Sequence, residues 1–201
     1  SVKWTPKSAA FYYKLGFQIG DWKYSTAVVR PNKTTEYTYT GLTIPLEVAN
    51  QISSSKTSGT MYVYLHTFSD SAGTVQIGNT SSATFTVTIP DNNNTKPTVS
   101  MSLAPVSSLA SAFAGLYIQG KTKVKATLSA KGKYGSTIKS YSMKVNGATY
   151  GSNDSYTSGH LPTAGGVTVY GYATDSRGHT GSTPIDITVI PYAKPKILDV
   201  V

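Results

Sequence analysis

The sequence predicts an all-β protein made of two tandem antiparallel β-sandwich domains of the immunoglobulin or fibronectin type. Three observations predict this fold class. Apolar and polar residues alternate with period two in many segments, which is typical of half-buried strands. Gly, Ser and Asn turns separate the strand-like runs roughly every 8–15 residues, as in sandwich domains. A strand-and-turn motif recurs after about 105 residues, which indicates two copies of one module.

The recurring motif is an Asp-Ser-x-Gly turn that follows a strand. It occupies residues 64–74 in the first half and 170–180 in the second. Each copy leads to a β-branched strand ending in Ile-Pro, at Pro90 and Pro191, and then to Lys-Pro. The predicted organisation is a first β-sandwich module at 1–92, a linker at 93–97, a second immunoglobulin-like module at 98–192, and the start of a further linker or strand at 193–201. This last segment predicts that the chain was cut from a longer modular protein.

The predicted strands follow from the parity of their apolar residues. The sets expected to share one buried face are Met61, Val63 and Leu65; Phe85, Val87 and Ile89; Val99, Met101 and Leu103; Val124, Ala126 and Leu128; Tyr141, Met143 and Val145; Val167, Val169 and Ala173; and Ile185, Ile187 and Val189. The intervening positions carry mainly polar residues, Tyr or Gly, so one face of each strand is expected to pack and the other to meet water.

Turn residues punctuate these runs. Asn146-Gly147 predicts a type I′ hairpin, since both central residues of that turn need positive φ. Asp70 and Asp175 are expected to accept hydrogen bonds from nearby backbone amides, as in Asx turns. Helix is sparse: 45–52 begins with Pro at the first helical position and predicts a short helix, and 106–113 predicts another.

Composition excludes several classes of protein. The chain has 201 residues, with 39% hydrophobic and 13% charged, which suits a folded core and not a disordered chain. It has no Cys, which excludes disulfides, thiolate metal sites and a Cys nucleophile. No apolar run approaches the roughly 20 residues of a membrane span, and residues 1–10 do not have the pattern of a signal peptide.

Catalytic and metal-binding patterns are missing from the sequence. The acids are Asp21, Glu36, Glu47, Asp70, Asp91, Asp154, Asp175, Asp186 and Asp199, and most have an explanation as turn, linker or surface residues. The histidines are His66, His160 and His179, without the spacing of a zinc site. No nucleophile elbow, phosphate loop or calcium loop occurs. We therefore predict no catalytic, cofactor-binding or metal-binding residues, no cofactor and no enzymatic activity.

The basic charge is concentrated in the second half. Residues 96–201 carry 11 basic and 4 acidic groups, against 7 and 5 in residues 1–95. Lys121, Lys123 and Lys125 share one strand parity, and we interpret them first as guards of an exposed sheet edge. Contact with an anionic polymer or with a protein neighbour remains open as a second interpretation. Only two arginines occur and there is no reader module, so nucleic-acid binding is not predicted.

Aromatic residues are plentiful, with 15 Tyr and 2 Trp. Tyrosine suits contact surfaces because it joins a large apolar body to one polar tip, but it is also a good strand former. Trp4 and Trp22 are candidates for stacking on a sugar ring or for a place in the core. The sequence does not choose among these aromatics, so the binding residues stay unknown at this stage.

Several segments resemble a family of structural proteins from long-tailed bacteriophages and prophages of Gram-positive bacteria such as streptococci. They are Trp4-Thr5-Pro6, the run from Tyr117 to Ala126 with its Tyr-Ile-Gln-Gly-Lys segment, Ile138-Lys139-Ser140-Tyr141, and the hairpin from Ala173 to Gly178. The resemblance covers most of the chain and implies a virion component of the tail tip or a tail fibre. It implies no catalytic residues.

The function expected from this resemblance is structural: β-sandwich modules that space or present host-contacting elements and assemble with other phage tail subunits. The expected location is the virion tail, which is extracellular after host lysis. Homo-oligomerisation of the full-length protein stays open. The alternatives are a carbohydrate-binding module that recognises bacterial cell-wall polysaccharide, and an accessory module of a wall hydrolase.

Overall fold

The computed structural model describes residues 1–151 and 153–198, and these are folded mainly as β-strands. They divide into two compact units: unit 1 is Ser1–Pro90 and unit 2 begins at Asp91. Each unit contains two sheets, and the predicted all-β sandwich class is confirmed. The strands are β1 (Val2–Trp4), β2 (Tyr12–Ile19), β3 (Trp22–Ser25), β4 (Tyr37–Tyr39), β5 (Ser58–Phe68), β6 (Ser81–Thr88), β7 (Thr98–Val106), β8 (Tyr117–Ile118), β9 (Lys123–Lys131), β10 (Ile138–Val145), β11 (Ala148–Tyr150), β12 (Ser155–His160), β13 (Gly165–Asp175) and β14 (Thr180–Ile190).

Unit 1 consists of a four-stranded sheet in the order β3-β2-β5-β6 and a two-stranded sheet of β1 and β4. β2 alternates half-buried and buried positions along its whole length, which is the period-two pattern of a strand with one packed face. Its four buried residues are Tyr13, Leu15, Phe17 and Ile19. β5 pairs with both β2 and β6, so it lies inside the sheet and its Met61 and Val63 are buried beside them.

Unit 2 consists of a five-stranded sheet in the order β11-β10-β13-β14-β8 and a three-stranded sheet in the order β12-β9-β7. Its core is drawn from the alternating apolar positions of both sheets, as predicted from parity. The buried cluster is Val124, Ala126, Met143, Val145, Leu161, Val167, Val169, Ile187 and Val189. All strand pairs are antiparallel except β14 with β8, which is parallel.

Local turn chemistry is confirmed at the strongest sequence signal. Asn146 and Gly147 have φ of 49° and 78°, and the flanking residues Val145 and Ala148 pair across the β10–β11 hairpin. Both residues of the turn therefore adopt the left-handed backbone that the Asn-Gly dipeptide favours.

The two predicted helices have different outcomes. The first is a 3-10 helix over Leu46–Gln51 that follows Pro45 and buries Val48 and Ala49. The second prediction, 106–113, is wrong over most of its length, since Val106 ends β7 and only Ser111–Phe113 forms a 3-10 turn. Val106 pairs with β9, so cross-strand pairing overrides the local helical pattern.

Unit 2 begins with a folded turn that includes part of the linker predicted at 93–97. The backbone N–H groups of Thr95 and Lys96 both donate to the Asn92 carbonyl at 3.0 Å, and Thr95 is buried. At the other end of unit 2, residues 193–198 form no regular secondary structure. The rest of the segment predicted at 193–201 lies outside the described residues.

Candidate functional site

The acidic residues are dispersed over the structure. Glu36 and Asp91 each form an ion pair with a lysine, and Asp186 accepts a hydrogen bond from the hydroxyl of Thr168. Asp199 lies outside the described residues. Within residues 1–151 and 153–198, no three His, Asp or Glu side chains form a group that could hold a metal ion. In the same part of the chain, no helix has the length and hydropathy needed to cross a bilayer.

The lysines that share one strand parity do not lie at a sheet edge, where the first interpretation placed them. β9 pairs with β12 on one side and with β7 on the other, so it is the central strand of its sheet. Lys123 and Lys125 therefore do not guard an edge, and Lys121 precedes the strand in a turn. The edge-guard interpretation is wrong because the sequence showed which face these residues share, but not which strands pair beside them.

The outward face of this three-stranded sheet is basic. Lys125 is exposed and Lys123 half-buried, opposite the buried Val124, Ala126 and Leu128. Lys131 lies on the same parity, and His160 pairs with Lys123 across the sheet. Among the residues that the structure describes, these three lysines form no ion pair. Their charges therefore remain available to an anionic group from outside the chain.

A row of four aromatic rings follows the outward face of β5 in unit 1. Tyr62, Tyr64, His66 and Phe68 occupy alternate positions of the strand, and the residues between them face the core. Tyr62 is 48% exposed and stacks on Tyr64, with ring centroids 6.3 Å apart and an interplanar angle of 12°. The row becomes buried towards Phe68, which is 7% exposed. The accessible part of the row is therefore the Tyr62–Tyr64 pair, which we call the unit 1 tyrosine pair.

Small and polar residues flank the unit 1 tyrosine pair. Gly16 lies opposite Tyr64 on β2, and Gln18 lies opposite Tyr62. On the other side, β6 places Ser82 beside Tyr64 and Thr84 beside Tyr62. A missing side chain on one flank and hydroxyl groups on the other leave the ring faces accessible beside hydrogen-bonding groups. This combination of flat apolar surface and nearby polar groups suits a sugar ring.

Unit 2 carries a matching pair on β13. Tyr170 is 41% exposed and stacks on Tyr172, with centroids 6.3 Å apart and an angle of 23°. These two residues form the unit 2 tyrosine pair, and like the first pair they point away from the core. Lys144 lies directly opposite Tyr170 in the β10–β13 ladder. Each unit therefore presents one stacked tyrosine pair on the outer face of its larger sheet.

The sequence contains a signal for these pairs that the number of tyrosines alone does not show. Tyr-x-Tyr within a strand places both rings on one face, and the buried positions on either side then identify that face as the outward one. Trp4 fits the core interpretation better, whereas Trp22 lies on the edge strand β3 beside the exposed Tyr24. Trp4 packs against Tyr13 and Tyr37, and the half-buried Trp22 stacks on Tyr24. Neither tryptophan belongs to the outward tyrosine surfaces.

The Asx turns predicted at Asp70 and Asp175 are both present. The Asp70 carboxylate accepts hydrogen bonds from the backbone N–H groups of Thr74 and Val75, the shortest at 2.7 Å. The bond from Val75, followed by those from Thr74, lowers the pKa of Asp70. Asp175 Oδ1 accepts from the N–H groups of Arg177 and His179 at 3.0 and 2.9 Å. Both carboxylates therefore order their turns, which gives them a structural role.

Comparison with known proteins adds a family. A model of the family described as "Siphovirus protein of unknown function (DUF859)" matches residues 1–200. No curated protein matches the chain in sequence. A similar solved structure is titled "Structures of Clostridium thermocellum CbhA fibronectin(III)-like modules", with 16% identity and a TM-score of 0.38. That similarity covers 93% of this chain and 80% of the other.

Proposed function

Because the chain belongs to this family of siphovirus proteins, we propose that it is a non-enzymatic structural part of the phage tail, in the tail tip or a tail fibre. Its two β-sandwich units would space or present elements that contact the host, and would assemble with other tail subunits. Family membership supports a phage protein, and the resemblance of the Tyr117–Ala126 segment supports the tail. We propose a Gram-positive host on the same resemblance.

The observation that carries a host-contact role is the pair of tyrosine surfaces. The Tyr62–Tyr64 and Tyr170–Tyr172 pairs are solvent-accessible, stacked and outward-facing on the larger sheet of each unit. A stacked pair that served only the core would be covered, whereas Tyr62 and Tyr170 are each more than two-fifths exposed. Aromatic rings with one polar tip are the residues that contact surfaces favour.

Cell-wall polysaccharide is the ligand class that these surfaces fit best. Ring faces stack on the apolar face of a sugar, while Ser82 and Thr84 beside the unit 1 pair offer hydrogen bonds. The basic face with Lys123, Lys125 and Lys131 suits the phosphates of a teichoic-type polymer, and this attraction would weaken with salt. The same observations favour the second candidate, a carbohydrate-binding module, including one that accompanies a wall hydrolase.

The experiment is a pull-down of the purified chain on host cell walls, with and without teichoic-type polymers, at low and moderate salt. We expect saturable binding restricted to particular hosts. Replacing both residues of a tyrosine pair with Ala should weaken binding at least about tenfold, since each buried ring contact is worth about 1 kcal/mol. The matched control is the Tyr→Phe pair, which keeps both rings and should keep most of the binding.

The outcomes separate the candidates. If no saturable binding to cell walls occurs at either salt concentration, the host-contact role is excluded. A spacer or assembly role then remains. Labelling intact virions with an antibody against the chain then tests the tail location itself. Label confined to the tail supports a structural protein. Binding to walls without any label on the virion would instead favour the carbohydrate-binding module of a separate protein.

A further inference from the structure

The outer faces of the two larger sheets differ in the charges around their tyrosine pairs. In unit 1, Lys14 lies on the outward parity of β2, opposite His66, and Lys23 lies on the outward parity of the neighbouring β3. The Arg30 guanidinium lies 5.5 Å from the centre of the outward Tyr12 ring. Three cations therefore accompany the unit 1 tyrosine pair on the side of β2 and β3.

No acidic residue balances these charges on the face. The outward positions of β2, β3, β5 and β6 carry no Asp or Glu. Asp21 lies in the β2–β3 turn, and Asp70 lies in the loop after β5, where backbone amides bind its carboxylate. Within the described residues, Lys14 and Lys23 form no ion pair. The face is therefore complementary in charge to an anionic ligand.

The corresponding face of unit 2 carries charges of both signs. Lys144 lies opposite Tyr170, but Asp186 belongs to the same face, two residues after Pro184, which pairs with Tyr170 on the other side. The Asp186 carboxylate accepts a 2.6 Å hydrogen bond from the hydroxyl of Thr168. The two tyrosine pairs are thus alike in their rings and different in their electrostatic surroundings.

The unit 1 face also has a notch at Gly16. β2 lies inside its sheet, and Gly16 pairs with Ser25 of β3 on one side and with Tyr64 of β5 on the other. A Cβ at Gly16 would lie 3.7 Å from both Tyr64 Cβ and His66 Nε2, which are ordinary contact distances. The space that a side chain would occupy is therefore bordered by these two residues. We call this space the Gly16 notch.

Neither the backbone nor the core requires glycine at this position. The φ of Gly16 lies outside the left-handed region, and the Cβ of another residue would fit there. At Gly59 and Gly171, by contrast, a Cβ would overlap core side chains. Glycine inside a strand costs stability, and it often marks a place where a ligand approaches the backbone closely. The Gly16 notch has these properties of a ligand subsite.

Polar groups border the notch. His66 Nδ1 lies 3.1 Å from the hydroxyl of Thr80 and 3.4 Å from Gln76 Oε1, so the loop after β5 fixes one side of the imidazole ring. Nε2 on the other side faces the notch, and within residues 1–151 and 153–198 it has no hydrogen-bond partner. Lys14 is the next outward residue of β2. A ligand in the notch thus meets an aromatic ring, an imidazole nitrogen and an ammonium group.

The accessibility of this face follows from strands in the interior of the sheet. β2 and β5 are paired on both sides, and another strand beside β6 would widen the sheet without covering its outer face. Unit 2 illustrates this point, because β8 lies beyond β14 there and Tyr170 is nevertheless exposed.

We infer that the outer face of unit 1 binds a phosphate-bearing glycan, with one unit of the polymer in the Gly16 notch. This unit packs against the Tyr64 ring, one of its hydroxyl groups forms a hydrogen bond with His66 Nε2, and Lys14 and Lys23 bind its phosphates. The face of unit 2 does not distinguish phosphate-bearing from neutral glycans. The inference rests on the proposed function, since it names the ligand of one of the same tyrosine surfaces.

The first test compares polymers as ligands of the purified chain by isothermal titration calorimetry, at low and moderate salt. The probes are a poly(glycerol phosphate) teichoic polymer, a neutral wall polysaccharide, a polysaccharide charged by carboxylates and a single-stranded oligonucleotide. We expect the teichoic polymer to bind at least about tenfold more tightly than the neutral one at low salt. The difference should shrink at moderate salt, because ions screen the lysines.

Each other outcome of this comparison contradicts part of the inference. Equal affinity for the neutral and the teichoic polymer, or no binding of the teichoic polymer, overturns it. Tighter binding of the carboxylate polymer overturns the choice of phosphate as the anionic group. Tighter binding of the oligonucleotide overturns the choice of a glycan.

Gly16→Val tests the notch by filling it. Valine favours strands, so the variant should keep or raise the free energy of unfolding of unit 1 while it weakens binding of the teichoic polymer at least about tenfold. Thr86→Val is the matched control, since it places the same side chain on the outer face of β6, away from the notch. Trp fluorescence checks that unit 1 is folded. If Gly16→Val does not fold, Gly16→Ala replaces it, because its Cβ fits at ordinary contact distances.

Unchanged binding by the folded Gly16 variant overturns the notch as the site. A loss of binding that is matched by a loss of stability would show that the glycine acts through the fold. Only a loss of binding without a loss of stability supports a ligand subsite.

Lys14→Gln and Lys23→Gln test the cations. Each should weaken binding of the teichoic polymer about three- to tenfold and leave binding of the neutral polysaccharide unchanged. Lys144→Gln, beside the unit 2 tyrosine pair, is the matched control and should leave the preference for the teichoic polymer intact. A preference that persists in the Lys14→Gln, Lys23→Gln double variant contradicts the role of these lysines.

Failure of this inference can be distinguished from failure of the proposed function. Host contact fails if cell walls do not bind the chain, whatever the purified polymers show. The inference alone fails if walls still bind the chain after hydrofluoric acid has removed their phosphodiesters, and if the Tyr170 and Tyr172 variants lose this binding while the Gly16 variant keeps it.

Discussion

The two Asp-Ser-x-Gly turns share a motif but differ in the way their carboxylates are surrounded. Asp175 is the last residue of β13, faces inward and is fully buried. Asp70 lies beyond the end of β5, partly exposed, in the long connection to β6. Both carboxylates accept backbone N–H groups, and both turns have a Gly with positive φ. The two turns thus share the same kind of hydrogen bond to the carboxylate. The burial of the carboxylate differs because Asp175 is the last residue of its strand, whereas Asp70 lies beyond the end of its strand.

The unit 2 turn is also braced by a neighbouring loop. The Ser176 N–H donates to the Thr137 carbonyl at 2.7 Å, and the Thr137 N–H donates to the Ser176 hydroxyl at 3.1 Å. Arg177 Nη1 donates to the Lys133 carbonyl at 3.1 Å. Burial lowers the pKa of Arg177 and the Asp175 carboxylate opposes this. The turn is therefore fixed by tertiary contacts, which a short motif does not encode.

The largest expected difference between the turns follows from removing each carboxylate. Asp175→Ala leaves the buried N–H groups of Arg177 and His179 without their acceptor and should destabilise unit 2 by about 3 kcal/mol. Asp70→Ala should cost clearly less, because water can reach the amides that it frees. Hydrogen exchange measured by mass spectrometry separates the units, and faster exchange should appear in unit 2 for the first variant and around residues 69–80 for the second.

Asp175→Asn is the control for this comparison. It keeps an oxygen acceptor and nearly the same volume, so it should restore much of the stability lost in Asp175→Ala. Equal losses for Asp70→Ala and Asp175→Ala would mean that burial does not distinguish the two turns. Trp fluorescence provides a second readout, because both tryptophans lie in unit 1 and should report no direct change for Asp175 variants.

The glycines of the two turns should show the opposite ranking. Gly73 has φ +67°, and a Cβ there would lie 2.7 Å from Val28 Cγ2, a stiff β-branched side chain. Gly178 has φ +90°, and a Cβ there would meet nothing within 4 Å. Gly73→Ala should therefore cost about 2 kcal/mol from strain plus overlap, and Gly178→Ala about 1 kcal/mol from strain alone.

Urea unfolding of the two alanine variants measures this ranking, with Trp fluorescence for unit 1 and hydrogen exchange for unit 2. Val28→Ala in the Gly73→Ala background is the matched rescue, since it removes the overlapping methyl. The ranking is contradicted if Gly178→Ala is the more destabilising variant. It is also contradicted if Val28→Ala restores none of the stability that Gly73→Ala loses.

Parity was the part of the fold that the sequence predicted best. The buried pattern of β9 and β13 follows directly from alternating apolar residues, and Asn146-Gly147 identified its hairpin because the dipeptide has one favoured backbone. Pairing between strands was not predictable in the same way. Lys123 and Lys125 were assigned to an edge because parity fixes a face but says nothing about neighbours in the sheet.

The candidate site shows the same limit. Tyr-x-Tyr in β5 and β13 contains enough information to place two rings on one face. Choosing these tyrosines from 15 requires knowing which strands lie inside the sheet and which loops cover them. Phe68 illustrates this point, since it follows the outward parity of Tyr62 but is buried near Gly73 of the following loop. Exposure is a tertiary property and becomes visible only when the strands are assembled.

The smallest expected effect concerns pH and the Asp70 turn. The hydrogen bond from the Val75 amide, followed by those from Thr74, holds the pKa of this carboxyl below its ordinary value, although partial desolvation acts in the opposite direction. The unfolded chain binds a proton at a pKa of about 3.9, so the carboxylate stabilises unit 1 above that pH. Its contribution falls as the pH drops from about 5 through the lowered folded value.

Asp70→Asn should therefore make the free energy of unfolding of unit 1 depend less on pH in the acid range. The variant should have nearly the same free energy of unfolding at about pH 5 as at about pH 7. The measurement is urea unfolding followed by Trp fluorescence for the wild type and the variant, from about pH 2.5 to about pH 7 in steps of about half a unit, a range that extends more than about one unit to either side of the ordinary pKa. Because the amide cannot ionise, the stability difference between the two proteins should shrink steadily below pH 4. A difference that stayed constant with pH would show that the Asp70 hydrogen bonds do not depend on its charge, and the two turns would then differ in burial alone.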